Sequence, residues 1–414
     1  MSYLFRDNRD VNTMCGIFGF IGERSAAPLL IEGLRRLEYR GYDSTGLVVK
    51  NGSLQMYKKV GKVSELSKIL PNHIEGDTGI AHTRWATHGS VTETNAHPHL
   101  NTDESIAVVH NGIIENFRSL KGRLESRGIN LVSETDSEVL VHMITIGIES
   151  GQEPLEAVRQ TLNRVVGTWG LCVLFKEYDL IVCARNGSPL IIGQGNGESF
   201  VSSDPHALSH HTQNMFILED GDMATLTRNE IKISKLDGGN SSTSMTVLED
   251  EWGEADMAGY PHYMLKEIHE QPEALRRCIS GRLDKANGSA RLGGLKLEPV
   301  RLRNSPLVRL IGCGTALNAC KIGQLAIEGL ARIPAISHIS SEFRYNDHVI
   351  NPNSIHFAVS QSGETADTLS AVKEIQLKGG EVHGIINVVG STIARLCGRG
   401  VYIHSGPEQA VAST

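Results

Sequence analysis

The second half of the chain alternates between short apolar runs and longer helical segments, and this alternation limits the possible folds most strongly. LVRLIGCG, from Leu307 to Gly314, is followed by the helical pattern TALNACKIGQLAIEGLA. SIHFAVS, from Ser354 to Ser360, is followed by TADTLSAVKEIQLKGG and then by the strand-like EVHGIINV. Strands that alternate with helices pack as a parallel sheet with helices on its faces. The sequence therefore predicts an α/β doubly wound parallel-sheet domain here.

The first half follows a different pattern, in which short strand-like runs outnumber helices up to about Thr227. CGIFGFIG is typical of a buried strand, and Leu30, Leu34 and Leu37 share one face of a helix that we expect to end at Gly41. GLVV, LQMY, GIAHTRWA and SIAVVHNG are separated by turn residues. The polar segment GGNSSTS and the acidic residues after it predict a domain boundary near residue 245.

Composition argues against several classes of function. A chain of 414 residues that is 40% hydrophobic can bury more than one core, so we expect two domains. The net charge of -7 is spread without long basic or acidic runs, which predicts no nucleic acid and no membrane as partner. The seven cysteines stand singly, without zinc spacing, and neither a membrane span nor a signal segment is evident. We expect a cytoplasmic protein that holds no metal.

Five short fragments of the first half carry possible chemistry. They are Met14-Cys15-Gly16-Ile17, RWATHG from Arg84, NAHP from Asn95, His110-Asn111-Gly112 and Glu134-Thr135-Asp136. Each has an ordinary interpretation, since Cys before Gly in an apolar strand is usually a core thiol and Asn-Gly is usually a tight turn. In this order, however, they resemble the class II glutamine amidotransferases. These are N-terminal nucleophile hydrolases, whose fold is a four-layered αββα sandwich of the α+β class.

The resemblance implies hydrolysis of the side-chain amide of L-glutamine, which requires a nucleophile, a base and donors for an oxyanion. It implies that Cys15 supplies the thiolate, that the free α-amine of Cys15 is the base, and that Asn111 and Gly112 form the oxyanion hole. Glutamine would be bound by Arg84, Trp85, Thr87, His88, His97 and Asp136. Arg84 would hold the α-carboxylate and Asp136 the α-ammonium, Trp85 would retain ammonia, and His97 has either a binding role or a purely structural one.

Two polar segments of the second half, GCGT ending at Thr315 and SQSGET beginning at Ser360, each follow a predicted strand and open a helix. Helix N-termini at this edge of a parallel sheet bind anions, although Ser and Thr there are often only caps. The two segments resemble the sugar isomerase domain, which implies a phosphosugar site. Its ligands would be Thr315, Ser360, Gln361, Ser362, Thr365, Val411 and Ser413. Ala316 stands where that family usually has Ser, which would remove one hydroxyl contact.

The two resemblances together predict the domain organisation and the activity. We expect an N-terminal extension (1–14), a glutaminase domain (15–245), a linker that begins the sugar-phosphate part (246–295) and an incomplete first sugar isomerase domain (296–414). YRGYDSTG, residues 39–46, favours the branch that passes ammonia to fructose 6-phosphate and forms glucosamine 6-phosphate without metal or redox cofactor. The complete protein would add the isomerase half and form a homo-oligomer.

The residues before Cys15 conflict with the implied mechanism. When Met14 is joined to Cys15, the nitrogen is an amide whose lone pair is delocalised, so it cannot act as a base. We therefore expect either a translation start at Met14 followed by its removal, or cleavage of a propeptide.

Two other interpretations of the sequence stay open. One is a related amidotransferase or deglycase that acts on another phosphosugar. The other is a phosphosugar-binding protein, or an inactive product, in which the glutaminase pocket has no catalytic role.

Overall fold

The computed structural model describes residues 15–38, 41–85, 89–247, 257–284, 286–406, 408–410 and 413. Four predictions fall outside these ranges: the extension 1–14, Thr87, His88 and Val411. The described residues form two compact units, and the division falls between residues 247 and 257.

The first unit contains fourteen described strands in two antiparallel sheets, five described α-helices and a short 3₁₀ helix at Pro205–Ala207. The strands are β1 (Gly16–Ile21), β2 (Ser44–Asn51), β3 (Ser53–Val60), β4 (Thr78–Arg84), β5 (His99–Leu100), β6 (Ile106–Ile114), β7 (Gly167–Phe175), β8 (Ile181–Asn186), β9 (Ile191–Gln194), β10 (Ser199–Ser202), β11 (Asn214–Ile217), β12 (Asp222–Leu226), β13 (Ile231–Lys235) and β14 (Met245–Val247). The helices are α1 (Ala26–Leu37), α2 (Val63–Ile69), α3 (Phe117–Glu125), α4 (Glu138–Glu149) and α5 (Pro154–Leu162). The eight-stranded sheet has the order β14-β11-β9-β10-β1-β4-β2-β3, and the six-stranded sheet has the order β13-β12-β8-β7-β6-β5.

The helices and sheets of this unit form four layers, as the alternation of side chains along the strands shows. In β1, Ile17 packs in the cluster between the two sheets, whereas Phe18 packs against the buried face of α1. In β7, Cys172 lies in the same central cluster, whereas Leu171 packs against the helices of the other face. Successive side chains of a strand point to opposite faces, so each sheet is covered by helices on one side and by the other sheet on its second side. This arrangement confirms the predicted αββα sandwich.

The first helix is shorter than predicted. The expected apolar face is correct, because Leu30, Leu34 and Leu37 are fully buried. However, α1 ends at Leu37 rather than at Gly41. The carboxylate of Glu38 accepts the N–H of Val63, the first residue of α2, at 2.7 Å. An N–H at the start of a helix has no partner within the helix, so this contact satisfies it and holds the chain after α1 against α2.

The second unit contains a five-stranded parallel sheet. Its helices are α6 (Tyr263–Ile279), α7 (Pro299–Arg303), α8 (Gly314–Ala326), α9 (Ser340–Phe343), α10 (Ala366–Leu377) and α11 (Thr392–Cys397). The strands of the sheet are β17 (Val308–Gly312), β18 (Ala335–Ile339), β19 (Ile355–Ser360), β20 (Val382–Ile386) and β21 (Gly400–Tyr402), after a short hairpin of β15 (Leu283–Asp284) and β16 (Ser289–Ala290). Their order in the sheet is β18-β17-β19-β20-β21.

Both faces of the parallel sheet are covered by helices. Leu310 packs with Cys320 of α8 on one face, and its neighbour Ile311 packs with Val372 of α10 on the other. The predicted doubly wound α/β domain is therefore confirmed. After β17 the chain forms β18 on one side of β17 and then β19 on its other side. The direction in which strands are added to the sheet therefore reverses between β17 and β19. Ligands of such sheets bind beyond the carboxyl ends of the strands at this point.

Candidate active site

Cys15 lies directly before β1, where pairing with β4 brings it to the main chain of Trp85. Gly16 of β1 is opposite Thr83 of β4, so the residue before one strand lies near the residues that follow the other. The Cys15 Sγ accepts the Trp85 N–H at 3.2 Å, and the thiol lies 3.5 Å from Trp85 O. Cys15 is partly exposed, which leaves the sulfur within reach of a ligand.

Asn111 and Gly112 reach the same point from the other sheet. Both lie inside β6, so this Asn-Gly pair is part of a strand rather than a tight turn. Asn111 Nδ2 donates to Cys15 O at 2.9 Å. Gly112 has φ of +134°, and a Cβ at this position would lie 2.1 Å from Thr168 O. Only glycine fits this backbone without displacing β7.

Arg84 lies close to Cys15, and the opposite charge of Asp136 lies near Arg84. Arg84 ends β4, is only 4% exposed, and its Nη1 donates to Ser90 O at 3.2 Å. Burial lowers the pKa of Arg84, while the nearby Cys15 and the carboxylates of Asp136 and other acids oppose that shift. Asp136 Oδ2 accepts the Ile114 N–H at 2.7 Å, which fixes the carboxylate beside β6.

A polar network that the sequence patterns did not indicate supports the loop after Arg84. The carboxylate of Glu134 accepts hydrogen bonds from Ser90 N, Ser90 Oγ and Asn95 Nδ2 at 2.9, 3.0 and 3.0 Å. Asn95 Oδ1 in turn accepts the Glu134 N–H at 2.9 Å. Hydrogen bonds to the charged carboxylate lower the pKa of Glu134. Of the fragment NAHP, Asn95 therefore joins the two segments that carry Arg84 and Asp136.

Four buried histidines lie close to one another in the first unit: His82, His97, His99 and His110. His82 and His97 have ring centroids 4.3 Å apart, and His97 and His99 are 4.6 Å apart. Burial lowers the pKa of His82 and of His99 to about 3, and it lowers the pKa of His97 and His110 as well. Neither ring nitrogen of His97 has a hydrogen-bond partner within the described ranges. His97 thus lies in the interior of the unit, with neighbouring imidazoles on both sides.

The second unit has a cavity of about 770 Å³ at the carboxyl ends of β17 and β19. Four of the predicted ligands line it: Thr315, Ser360, Gln361 and Ser413. Ala316 lines it as well, at the position where Ser was expected. Ser362 and Thr365 do not line this cavity. The position of the cavity agrees with the point where the strand order reverses.

The hydroxyl groups around Ser360 also stabilise the turn before α10. Ser360 Oγ accepts the Gly363 N–H at 3.0 Å and lies 3.2 Å from Thr365 Oγ1. Ser362 Oγ accepts the Glu364 N–H at 3.2 Å. These hydroxyls therefore bond to main-chain N–H groups of the turn, whereas the N-cap residue Thr365 makes no side-chain hydrogen bond to α10, so the capping role that the sequence left open is not found there.

Three carboxylates on the opposite side of the cavity were not predicted from sequence. They belong to Glu267 and Glu270 of α6 and to Glu408. Burial raises the pKa of Glu408 to about 7, and the like charge of Glu267 adds to the shift. Glu408 lies in GPEQAVAST, a segment with no local strand or helix pattern. The resemblance implied ligands in this segment at Val411 and Ser413 but gave no role to Glu408.

Neither a metal centre nor a membrane span is found in the parts of the chain that the structure describes. No group of three or more His, Cys, Asp or Glu side chains there is arranged to hold a metal ion. Likewise, no helix of these parts is long and apolar enough to cross a membrane.

The αββα sandwich with its Cys15 site, followed by the parallel sheet with its cavity, defines a glutamine amidotransferase of the N-terminal nucleophile type joined to a SIS domain. A family model described as glutamine amidotransferase domain matches residues 82–210, and one described as SIS domain matches residues 301–414. A solved glutamine phosphoribosylpyrophosphate amidotransferase from B. subtilis, in complex with ADP and GMP, has a similar fold, with a TM-score of 0.50 and 20% identity. That alignment covers 90% of this chain and 81% of the other.

Curated relatives identify the family. The chain is 46% identical over 416 residues to the glutamine–fructose-6-phosphate aminotransferase (isomerizing) of Chlorobaculum tepidum. It is 44% identical over 405 residues to the enzyme of that name from Thermus thermophilus. Each alignment covers 97% of this chain and 66% of the relative, so the chain spans about two thirds of their length. The chain belongs to the glutamine–fructose-6-phosphate aminotransferase family.

Proposed function

We propose that this chain produces ammonia from L-glutamine at Cys15, and that the whole protein transfers the ammonia to fructose 6-phosphate to form glucosamine 6-phosphate. The observation that carries this proposal is the meeting of Cys15 with Asn111 of the opposite sheet, with Arg84 and Asp136 beside them. The names of the relatives support fructose 6-phosphate as acceptor.

The proposed reaction begins with attack of the Cys15 Sγ on the side-chain amide carbon of glutamine. The thiol proton passes to the base, and the oxyanion accepts hydrogen bonds from Asn111 Nδ2 and the Gly112 N–H. Collapse of the tetrahedral intermediate breaks the C–N bond, and the nitrogen takes up the proton and leaves as ammonia. Water then attacks the thioester, which releases glutamate and returns the proton to the sulfur.

The proposed base is the α-amine of Cys15, which requires residue 15 to be the first residue of the active chain. A free α-amine ordinarily has a pKa of about 7.7–8.0, which suits proton transfer near neutral pH. The amine also belongs to the same residue as the sulfur, so the proton moves over a short distance. Trp85, whose ring meets the ring of Tyr42 edge-on at 5.6 Å, is proposed to retain the ammonia.

Arg84 is proposed to bind the α-carboxylate of glutamine and Asp136 its α-ammonium. Arg84→Ala should raise KM for glutamine by about 10- to 100-fold, because a hydrogen bond to a charged group contributes about 1.5–3 kcal/mol. The value of kcat should change much less, since Arg84 is not proposed to contact the reacting amide. Steady-state glutamate release measures both. Arg24→Ala, which removes an exposed arginine of the same unit paired with Glu198, is the control and should leave KM unchanged. A fall in kcat with normal KM would exclude the carboxylate role.

His97 is proposed to have a structural role rather than a role in binding glutamine. Its ring is 5% exposed and lies between two other imidazoles. A ligand could not reach it without displacing His82 or His99.

The cavity at Thr315 is proposed as the phosphosugar site of the second unit. Thr315 lies in the first turn of α8, whose N–H groups and partial positive charge favour a phosphate. Ser360, Gln361 and Ser413 add polar groups around the same space. The proposal keeps Ser362 and Thr365 as residues that shape the turn before α10.

Substitutions at the start of α8 should shift phosphosugar affinity in opposite directions. Thr315→Val, which removes one hydroxyl, should weaken binding of fructose 6-phosphate by about 10-fold, and Ala316→Ser should strengthen it by a similar factor. Isothermal titration calorimetry of the chain with fructose 6-phosphate measures both effects, with fructose as the ligand that lacks the phosphate. Ser370→Ala, at a partly exposed position of α10 whose hydroxyl donates to Ala366 O, is the matched control. Equal affinity of wild type and Thr315→Val would argue against this cavity as the site.

Three expectations from the sequence stay predictions. They are the domain division at residue 245, the location in the cytoplasm and the self-association of the complete protein.

A further inference from the structure

The side chain of His82 contacts Asn111 directly. His82 lies in β4, two residues before Arg84, and its Nε2 is 2.9 Å from Asn111 Oδ1. The other end of the same amide, Asn111 Nδ2, donates to Cys15 O at 2.9 Å. His82 and Asn111 are 1% and 6% exposed, so water does not replace either contact. The amide of Asn111 is therefore held at both of its atoms.

The protonation of His82 follows from its surroundings. Burial keeps the imidazole neutral near pH 7, because it lowers the pKa of His82 to about 3. A neutral imidazole carries one N–H, and Asn111 Oδ1 can only accept. The hydrogen must therefore be on Nε2. The opposite tautomer would place two acceptors, Nε2 and Asn111 Oδ1, against each other at 2.9 Å.

A reversed amide of Asn111 is excluded by the same contacts. If the amide rotated by half a turn, Oδ1 would face the carbonyl oxygen of Cys15, which offers no hydrogen. Nδ2 would then face Nε2 of His82 instead of the substrate side. The main chain of Cys15 and the ring of His82 thus select the same orientation of the amide.

We propose that His82 is a positioning residue of the oxyanion hole, in which its Nε2–H group holds Asn111 Oδ1 so that Asn111 Nδ2 faces the substrate oxygen. This inference rests on the glutaminase function proposed above. The ring of His97, 4.3 Å from that of His82, keeps the imidazole from rotating away. A donor that is oriented before the reaction stabilises the developing oxyanion without reorganisation.

The first test compares two side chains of similar size on a chain whose first residue is Cys15. His82→Met cannot donate and should lower kcat for glutamate release by about 10- to 100-fold, since loss of an oxyanion donor has effects of at least this size. His82→Gln places an amide N–H near the position of Nε2 and should restore kcat to within a few-fold of wild type. KM for glutamine should be unchanged in both variants, because the residues proposed to bind it are retained. Equal loss in Met and Gln variants, or a loss in KM alone, would overturn the proposal.

The second test does not depend on activity. Nitrogen-15 NMR of the full chain with labelled histidine distinguishes an Nε2–H from an Nδ1–H imidazole, and the signal is assigned to His82 by its disappearance in His82→Gln. We expect a neutral Nε2–H ring between pH 6 and 8. An Nδ1–H or doubly protonated ring would overturn the proposal. A wild-type chain that begins at Cys15 and releases no glutamate would refute the glutaminase function instead, and the tautomer would still decide whether His82 holds the amide.

Discussion

Replacing Cys15 with Ala should reduce glutamate release to background in a chain that begins at residue 15. The Cys15 sulfur is the only atom proposed to form a bond to the substrate, and removal of a catalytic nucleophile typically lowers turnover by about 10⁴-fold or more. The side chains of Arg84 and Asp136 do not depend on the sulfur for their main contacts. The dissociation constant of glutamine should therefore stay within a few-fold of the wild-type value. Glutamate release measures the first effect and calorimetry measures the second.

Cys183→Ala is the matched control for this variant. Cys183 lies in the core between the two sheets, and its Sγ is 3.5 Å from that of Cys172, remote in sequence from the Cys15 segment. This substitution removes a thiol of the same unit and should retain glutamate release. Undiminished release by Cys15→Ala would disprove the role of Cys15, whatever the control shows.

The glutaminase unit should lose stability steeply as the pH falls below about 6. Burial lowers the pKa of His82, His97, His99 and His110, whereas the same residues in the unfolded chain titrate near 6.5. Below that pH the unfolded state binds more protons than the folded state, so their contribution to stability is present above 6.5 and is lost as the pH falls toward 3. His82 and His99, whose pKa falls to about 3, together lower the free energy of unfolding by about 2.7 kcal/mol per pH unit over this range, and His97 and His110 act in the same direction. Domains have about 5–15 kcal/mol in total, so we expect the first unit to unfold between about pH 5 and pH 3.

Urea titrations at several pH values, followed by tryptophan fluorescence, measure this effect, because Trp85 and Trp169 both lie in the first unit. His97→Leu removes one buried imidazole that makes no hydrogen bond in the described structure, and it should make the dependence shallower by at most about 1.4 kcal/mol per pH unit. His73→Gln, at an exposed histidine, should leave the slope as it is. A free energy of unfolding that stays constant from pH 7 to pH 5 would contradict the prediction.

Several parts of the site were predictable because they depend on local patterns. The fragments around Cys15, Arg84 and Asn111 occur in the order typical of one family, so their shared position followed from the resemblance. The proximity of His82 to the site could have been predicted from the two-residue repeat of a strand. His82 and Arg84 are two positions apart in β4, so their side chains lie on the same face. Glu408 offered no such signal, since it is near neither end of a regular element.

The predicted ligands of the second unit show where local patterns are ambiguous. A hydroxyl group at the start of a helix can bind a ligand or satisfy the main chain, and the sequence SQSGET is the same in both cases. In the structure Ser360 does both, since it lines the cavity and its Oγ accepts the Gly363 N–H, whereas Ser362 does not line the cavity and accepts the N–H of Glu364 in the turn.

By itself the sequence determined the elements, the two fold classes and the residue types that carry the chemistry. The helices and strands depend on hydrophobic repeats and turn residues within about ten positions, so each of them is determined by its local sequence. Only the tertiary structure decided which of these residues meet. Cys15 contacts Trp85 across 70 residues and Asn111 across 96, and Asn111 is oriented by His82 from a different sheet. Such contacts depend on how the two sheets pack face to face, and no local repeat encodes the register of one sheet against another.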